Sequence, residues 1–75
     1  MVDAYVLIKT AVGKVSKVSG ALCRVKGVKS VCAVTGPFDL IAFVEAKDVA
    51  DLGKMITTKF HKIKGIESTE TAIVT

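Results

Sequence analysis

The 75-residue chain has no tryptophan, one tyrosine, three phenylalanines, one histidine, one proline and two cysteines. Each scarcity excludes something. Cys23 and Cys32 are too few for the disulfide framework of a secreted mini-protein, and they lack the CxxC spacing of a redox pair or soft-metal site. Both are expected to be reduced and buried in a cytoplasmic protein. His61, the single histidine, lies beside Lys59, Lys62 and Lys64, where a half-exposed surface residue is expected rather than a general base. Without a convergent nucleophile, acid and base the chain is expected to be no enzyme and to need no cofactor or metal. No apolar run approaches the roughly 20 residues of a membrane span and no leader precedes the first strand-like segment, so a soluble protein without membrane contact is expected.

What the chain does have is aliphatic residues: 51% of it is hydrophobic, carried by Val, Ile, Leu and Ala. It also has 11 basic against 7 acidic residues, a formal charge of +4. Lys14, Lys17, Arg24, Lys26, Lys29, Lys47, Lys54, Lys59, Lys62 and Lys64 are scattered over helix-like segments and their ends without a run of neighbours. That distribution reads as solvated helix faces rather than a nucleic-acid stripe. The length allows one domain, residues 1–75, and a chain this short buries only about 60% of its unfolded surface. Its monomer needs further stabilisation.

Periodicity divides the chain into six elements. Ala4 to Thr10 is a β-branched run that reads as a strand, bounded by Gly13. From Lys14 to Lys26, Val15, Val18, Leu22 and Val25 recur at helical spacing until Gly27 ends the helix. Val28 to Thr35 and Asp39 to Ala46 read as a hairpin around Gly36-Pro37. Asp48 stands at an N-cap position, and Val49, Leu52, Ile56, Phe60 and Ile63 form a second apolar helix face that Gly65 closes. Glu67 to Thr75 is a last strand. The halves repeat: Val25-Lys26-Gly27-Val28-Lys29-Ser30 is echoed by Ile63-Lys64-Gly65-Ile66-Glu67-Ser68.

Such a βαββαβ order predicts an α+β, ferredoxin-like domain, with a four-stranded antiparallel sheet and both helices on one face through right-handed crossovers. A half-wet sheet alternates apolar and polar residues. Here Ala4, Val6, Ile8 and also Tyr5, Leu7 are apolar, as are Leu40, Ala42, Val44 and also Ile41, Phe43. Both faces must be covered, so a homodimer packed sheet to sheet is expected.

Other users of this element order fit poorly. Copper chaperones carry a cysteine pair after the first strand, where this chain has Ala11-Val12-Gly13. RNA-recognition domains stack bases on aromatics of the central strands, and only Phe43 is in place. Small dimeric ferredoxin-like enzymes need more polar residues for a cavity. Instead, Val34-Thr35-Gly36-Pro37-Phe38-Asp39 joins a glycine turn to a carboxylate, and Thr69 and Thr71, two apart on the last strand, set two hydroxyls on one face. Backbone amides, hydroxyls and a carboxylate suit a small zwitterion: the carboxylate meets the α-ammonium and the donors meet the α-carboxylate. Equally, Asp39 can serve only to satisfy turn amides.

The Thr-Gly-x-Phe-Asp-Leu segment, the Asp48-Val49 helix start and the ending Gly65-Ile66-Glu67-Ser68-Thr69-Glu70-Thr71 resemble the effector domain of the Lrp/AsnC transcription regulators, also called the RAM domain. The resemblance covers nearly the whole chain. It implies a small-molecule sensing and oligomerisation domain of transcriptional regulation, with a free amino acid as effector. It implies dimers that assemble into octamers or decamers, with Thr35, Gly36, Phe38, Asp39, Val49, Thr69 and Thr71 lining the ligand site. The helix-turn-helix part of full-length members has no counterpart in these 75 residues. A stand-alone form is therefore expected, without direct nucleic-acid contact, acting alone or with full-length Lrp/AsnC regulators; a purely structural oligomerisation module is the alternative.

Overall fold

The computed structural model describes residues 1–75. Strands β1 (Val2–Thr10), β2 (Val28–Ala33), β3 (Leu40–Ala46) and β4 (Ile66–Ile73) form one antiparallel sheet in the order β2-β3-β1-β4. Helix α1 (Val15–Leu22) connects β1 to β2, and α2 (Val49–Met55), continued by a π-helical turn (Ile56–Phe60), connects β3 to β4. The βαββαβ order is therefore the one expected, and the paired central strands β1 and β3 carry the core.

Two helix ends differ from expectation. Helix α1 stops at Leu22 rather than running to Lys26, because the next amides bond three residues back, Arg24 to Ala21 at 3.2 Å and Val25 to Leu22 at 3.0 Å. That tighter winding still returns Val25 to the core. Helix α2 starts as predicted, with the Asp48 side chain accepting from the Asp51 amide at 2.7 Å and so satisfying an amide that has no helical partner. Its second half widens, the His61 amide reaching back five residues to Ile56 at 3.1 Å. Thr57 and Thr58 supply the reason: their hydroxyls bond the carbonyls of Gly53 (3.1 Å) and Lys54 (2.6 Å), competing with the helical ladder in a way that loosens a turn. Strand β2 ends two residues earlier and β3 begins one residue later than expected, while β4 begins one residue earlier and ends two residues earlier.

The sequence repeat is a repeat in space. Gly27 (φ +99°) and Gly65 (φ +105°) follow the two helices in conformations L side chains avoid. Each also lets the opposite helix approach. A Cβ at Gly27 would stand 2.5 Å from Met55 Cε of α2, and one at Gly65 2.9 Å from Val18 Cγ2 of α1. Their carbonyls do matching work, Gly27 accepting from Glu45 at 2.8 Å and Gly65 from Ala11 at 2.7 Å.

The helices cover one sheet face. Ala4, Val6, Ile8, Leu40, Ala42, Val44 and Ala46 point into it and meet Val18, Leu22, Leu52, Ile56 and Phe60. Only 13 of the 75 residues are buried, a small core even for this size. Tyr5, Leu7, Ile41 and Phe43 lie on the opposite, uncovered face, with the Tyr5 and Phe43 rings 5.0 Å apart. The cysteines correct the sequence reading: both are exposed. Cys23 follows the last turn of α1, and Cys32 pairs with Ile41 on the uncovered face. The helical and strand parities that bury Leu22 and Ala42 turn these two outward.

Candidate functional site

Asp39 is held where the β2–β3 connection meets the end of β1. Its amide donates to the Ile8 carbonyl and its carbonyl accepts from the Val34 amide, both at 2.9 Å. Its carboxylate is half-buried, and Oδ2 accepts from the Thr10 amide at 2.8 Å and from the Thr10 hydroxyl at 3.3 Å. The partner is thus a neighbouring strand and not the turn amides that the sequence suggested. Thr10 was missed because no local pattern joins residues so far apart; it is the one buried polar residue of the chain. Both bonds fall on one oxygen, so Oδ1 is left without a protein donor. Thr35 and Gly36 are exposed and Phe38 is half-buried in the same connection.

Thr69 and Thr71 do share a face. Register places them opposite Ile8 and Val6, on the helix side of edge strand β4. Thr69 therefore flanks β1 at the level of Leu40 on the other side, about 10 Å away across two strand spacings. Thr71 and Val49 come together in a shallow, mostly apolar depression of about 280 Å³ that Leu52, Ile56 and Ile73 complete. Thr35, Gly36, Phe38 and Asp39 do not line it. Six of the seven predicted residues thus form two clusters at two places, Thr69 stands on β4 outside the depression, and no single concavity of one chain holds them all. No three His, Cys, Asp or Glu side chains gather to hold a metal ion.

The larger concavity lies elsewhere. About 710 Å³ in volume, it opens at the far end of the sheet from the β2–β3 connection, between α2 and the turn that leads into β2. Lys26, Lys29, Lys47, Lys54 and Lys59 surround it, so residues that are scattered in sequence are gathered in space. No helix of the chain is long and apolar enough to cross a membrane.

Four antiparallel strands backed by two helices, with an uncovered apolar sheet face, define a ferredoxin-like α/β sandwich domain. A family model described as the Lrp/AsnC ligand binding domain matches residues 3–75, and the chain belongs to that family. It is 36% identical over 72 residues to an uncharacterized HTH-type transcriptional regulator of Pyrococcus horikoshii, covering 96% of this chain and 46% of that protein. The chain thus spans about half the length of the curated relatives it matches first. A shorter match, 30% over 59 residues, is to a homocitrate synthase of Sulfolobus acidocaldarius, of which it covers 12%. The crystal structure of TTHA0845 from Thermus thermophilus superposes with a TM-score of 0.94 at 36% identity, over 100% of this chain and 94% of that one. FFRP-DM1 also gives 0.94, at 39% identity and with both chains fully covered. A Neisseria meningitidis regulator solved as an L-Met complex shares the fold, with a TM-score of 0.89 at 13% identity over 99% of this chain and 49% of its own.

Proposed function

We propose that this chain senses a free amino acid in the cytoplasm and, as an oligomer, passes the signal to transcription. The observation that carries the reading is Asp39: a carboxylate fixed by Thr10 through Oδ2, with Oδ1 free, beside the exposed turn at Thr35 and Gly36. It would receive an α-ammonium, while turn amides and the Thr69 and Thr71 hydroxyls meet an α-carboxylate. The hairpin residues and the Val49–Thr71 depression lie apart in one chain, so on this reading the complete site is formed where chains meet, the hairpin of one against the last strand and Val49 of another. The L-Met bound to the Neisseria protein of this fold lends support to an amino acid as effector.

Dimers packed through the uncovered sheet face, assembled further into octamers or decamers, would bring the clusters together. The oligomer acts alone or alongside full-length Lrp/AsnC regulators, and performs no catalysis. Calorimetric titration with the twenty amino acids tests the reading. Saturable binding is expected for one or a few of them, and Asp39→Asn should weaken it by about tenfold or more, the worth of a charge-assisted bond. Absence of binding at millimolar concentration overturns sensing. The second reading, a purely structural oligomerisation module, is favoured by the bonds Asp39 already makes to β1; it predicts that Asp39→Asn alters stability or assembly alone.

A further inference from the structure

The lysine-lined cleft shares no residue with the proposed amino-acid site: it lies at the end of the sheet opposite Asp39, and a different face of α2 borders the Val49–Thr71 depression. One wall is a continuous helical stripe, Asp51, Lys54, Met55, Thr58 and Lys59, spaced by three and one so that all face the same way. The other wall is the Lys26-to-Lys29 turn with the end of β3 and Lys47. Five lysines against Glu45 and Asp51 leave a local excess of three positive charges, in a chain whose whole net charge is +4.

The two carboxylates are already engaged. Glu45 pairs with Lys29 at 3.3 Å, the one ion pair of the chain, and Asp51 accepts from the Lys47 amide at 3.1 Å. Lys26, Lys47, Lys54 and Lys59 therefore face a common space with no carboxylate of their own. The shape is built in: Gly27 lacks the Cβ that would strike Met55, so the helix closes tightly over the turn. The widened turn at Ile56–Phe60 carries Thr58 and Lys59 into the wall, and such turns often mark functional positions.

The ligand chemistry follows from the lining. The volume of about 710 Å³ falls in the range of small-molecule sites. No arginine lines it, so an anion there is held by lysine point charges, which serve phosphate well. No aromatic side chain lines it to stack a base, unlike the surfaces that hold single-stranded nucleic acid. We propose that the cleft binds a compact anion carrying two or more phosphoryl groups.

Calorimetric titration of the chain with inorganic pyrophosphate tests this. Saturable binding of one pyrophosphate per protomer is expected, weakening as salt rises. The Lys47→Gln, Lys54→Gln, Lys59→Gln triple variant should bind about tenfold more weakly or worse, since each exposed charge pair is worth a factor of about two to five. A control with the same charge change outside the cleft, Lys17→Gln, Lys62→Gln, Lys64→Gln, should bind within about twofold of the parent. No saturation up to about 10 mM, equal loss in both variants, or binding of duplex DNA but not pyrophosphate overturns the proposal. Should circular dichroism show the triple variant unfolded, Lys54→Gln and Lys59→Gln singly carry the same test, each with a loss of about twofold expected and an unchanged affinity overturning it.

Discussion

The two faces of the sheet are built from similar residues and meet different fates. On the helix side, Val6, Ile8, Leu40, Ala42 and Val44 are fully buried. On the other side Tyr5 is 47% exposed, and Leu7, Ile41 and Phe43 are only half-buried. Size differs too: the covered face uses small and branched side chains, over which α1 and α2 can approach closely, whereas the uncovered face carries the two rings of Tyr5 and Phe43. Large aromatic rings contribute much area with few rotors to immobilise, as association between chains favours. One face thus holds a chain together, and the other is suited to holding two chains together.

The difference can be broken or sharpened in order of expected effect. Phe60 is the largest fully buried side chain, and Phe60→Ala should cost about 3–5 kcal/mol, enough to unfold a chain with so small a core; urea denaturation measures it. A loss below about 1 kcal/mol would mean that the helix face is not the core of stability. Phe43→Asp places a charge in the centre of the uncovered face. Light scattering at micromolar concentration should then report monomers where the parent gives dimers, and an unchanged mass would rule out sheet-to-sheet pairing. Asp48→Ala removes the α2 cap without touching either face, and about 1 kcal/mol of lost stability is expected from denaturation with assembly preserved. Smallest is Glu45→Gln at the rim. Its pair with Lys29 has a lysine side chain 56% exposed, so a change under about 1 kcal/mol is expected, fading further in high salt.

Much of the fold could be read directly. Val15, Val18, Leu22 and Val25 marked α1, Asp48 capped α2 as predicted, and the doubled glycine segments at Gly27 and Gly65 marked corresponding joints. These signals are local, since they depend on residues within a turn or two. Errors arose where nearby competition decides details. The hydroxyls of Thr57 and Thr58 draw α2 into a wide turn, and Cys23 and Cys32 face outward although cysteine is usually a buried residue.

The candidate site was less accessible. Thr69 and Thr71 share a face as their spacing required, but their separation from Asp39 depends on β1 lying between β3 and β4. The Asp39–Thr10 bond and the gathering of five lysines have the same origin.

By itself the sequence determined the elements, their order, their repeat and the apolar character of both sheet faces, because alternation and helical spacing are properties of neighbouring residues. Only the tertiary structure decided which face the helices cover, which strand Asp39 binds and which lysines surround one cleft. Strand order and crossovers bring together positions that no local period connects, and at those meetings a solvated lysine face becomes the wall of a cleft.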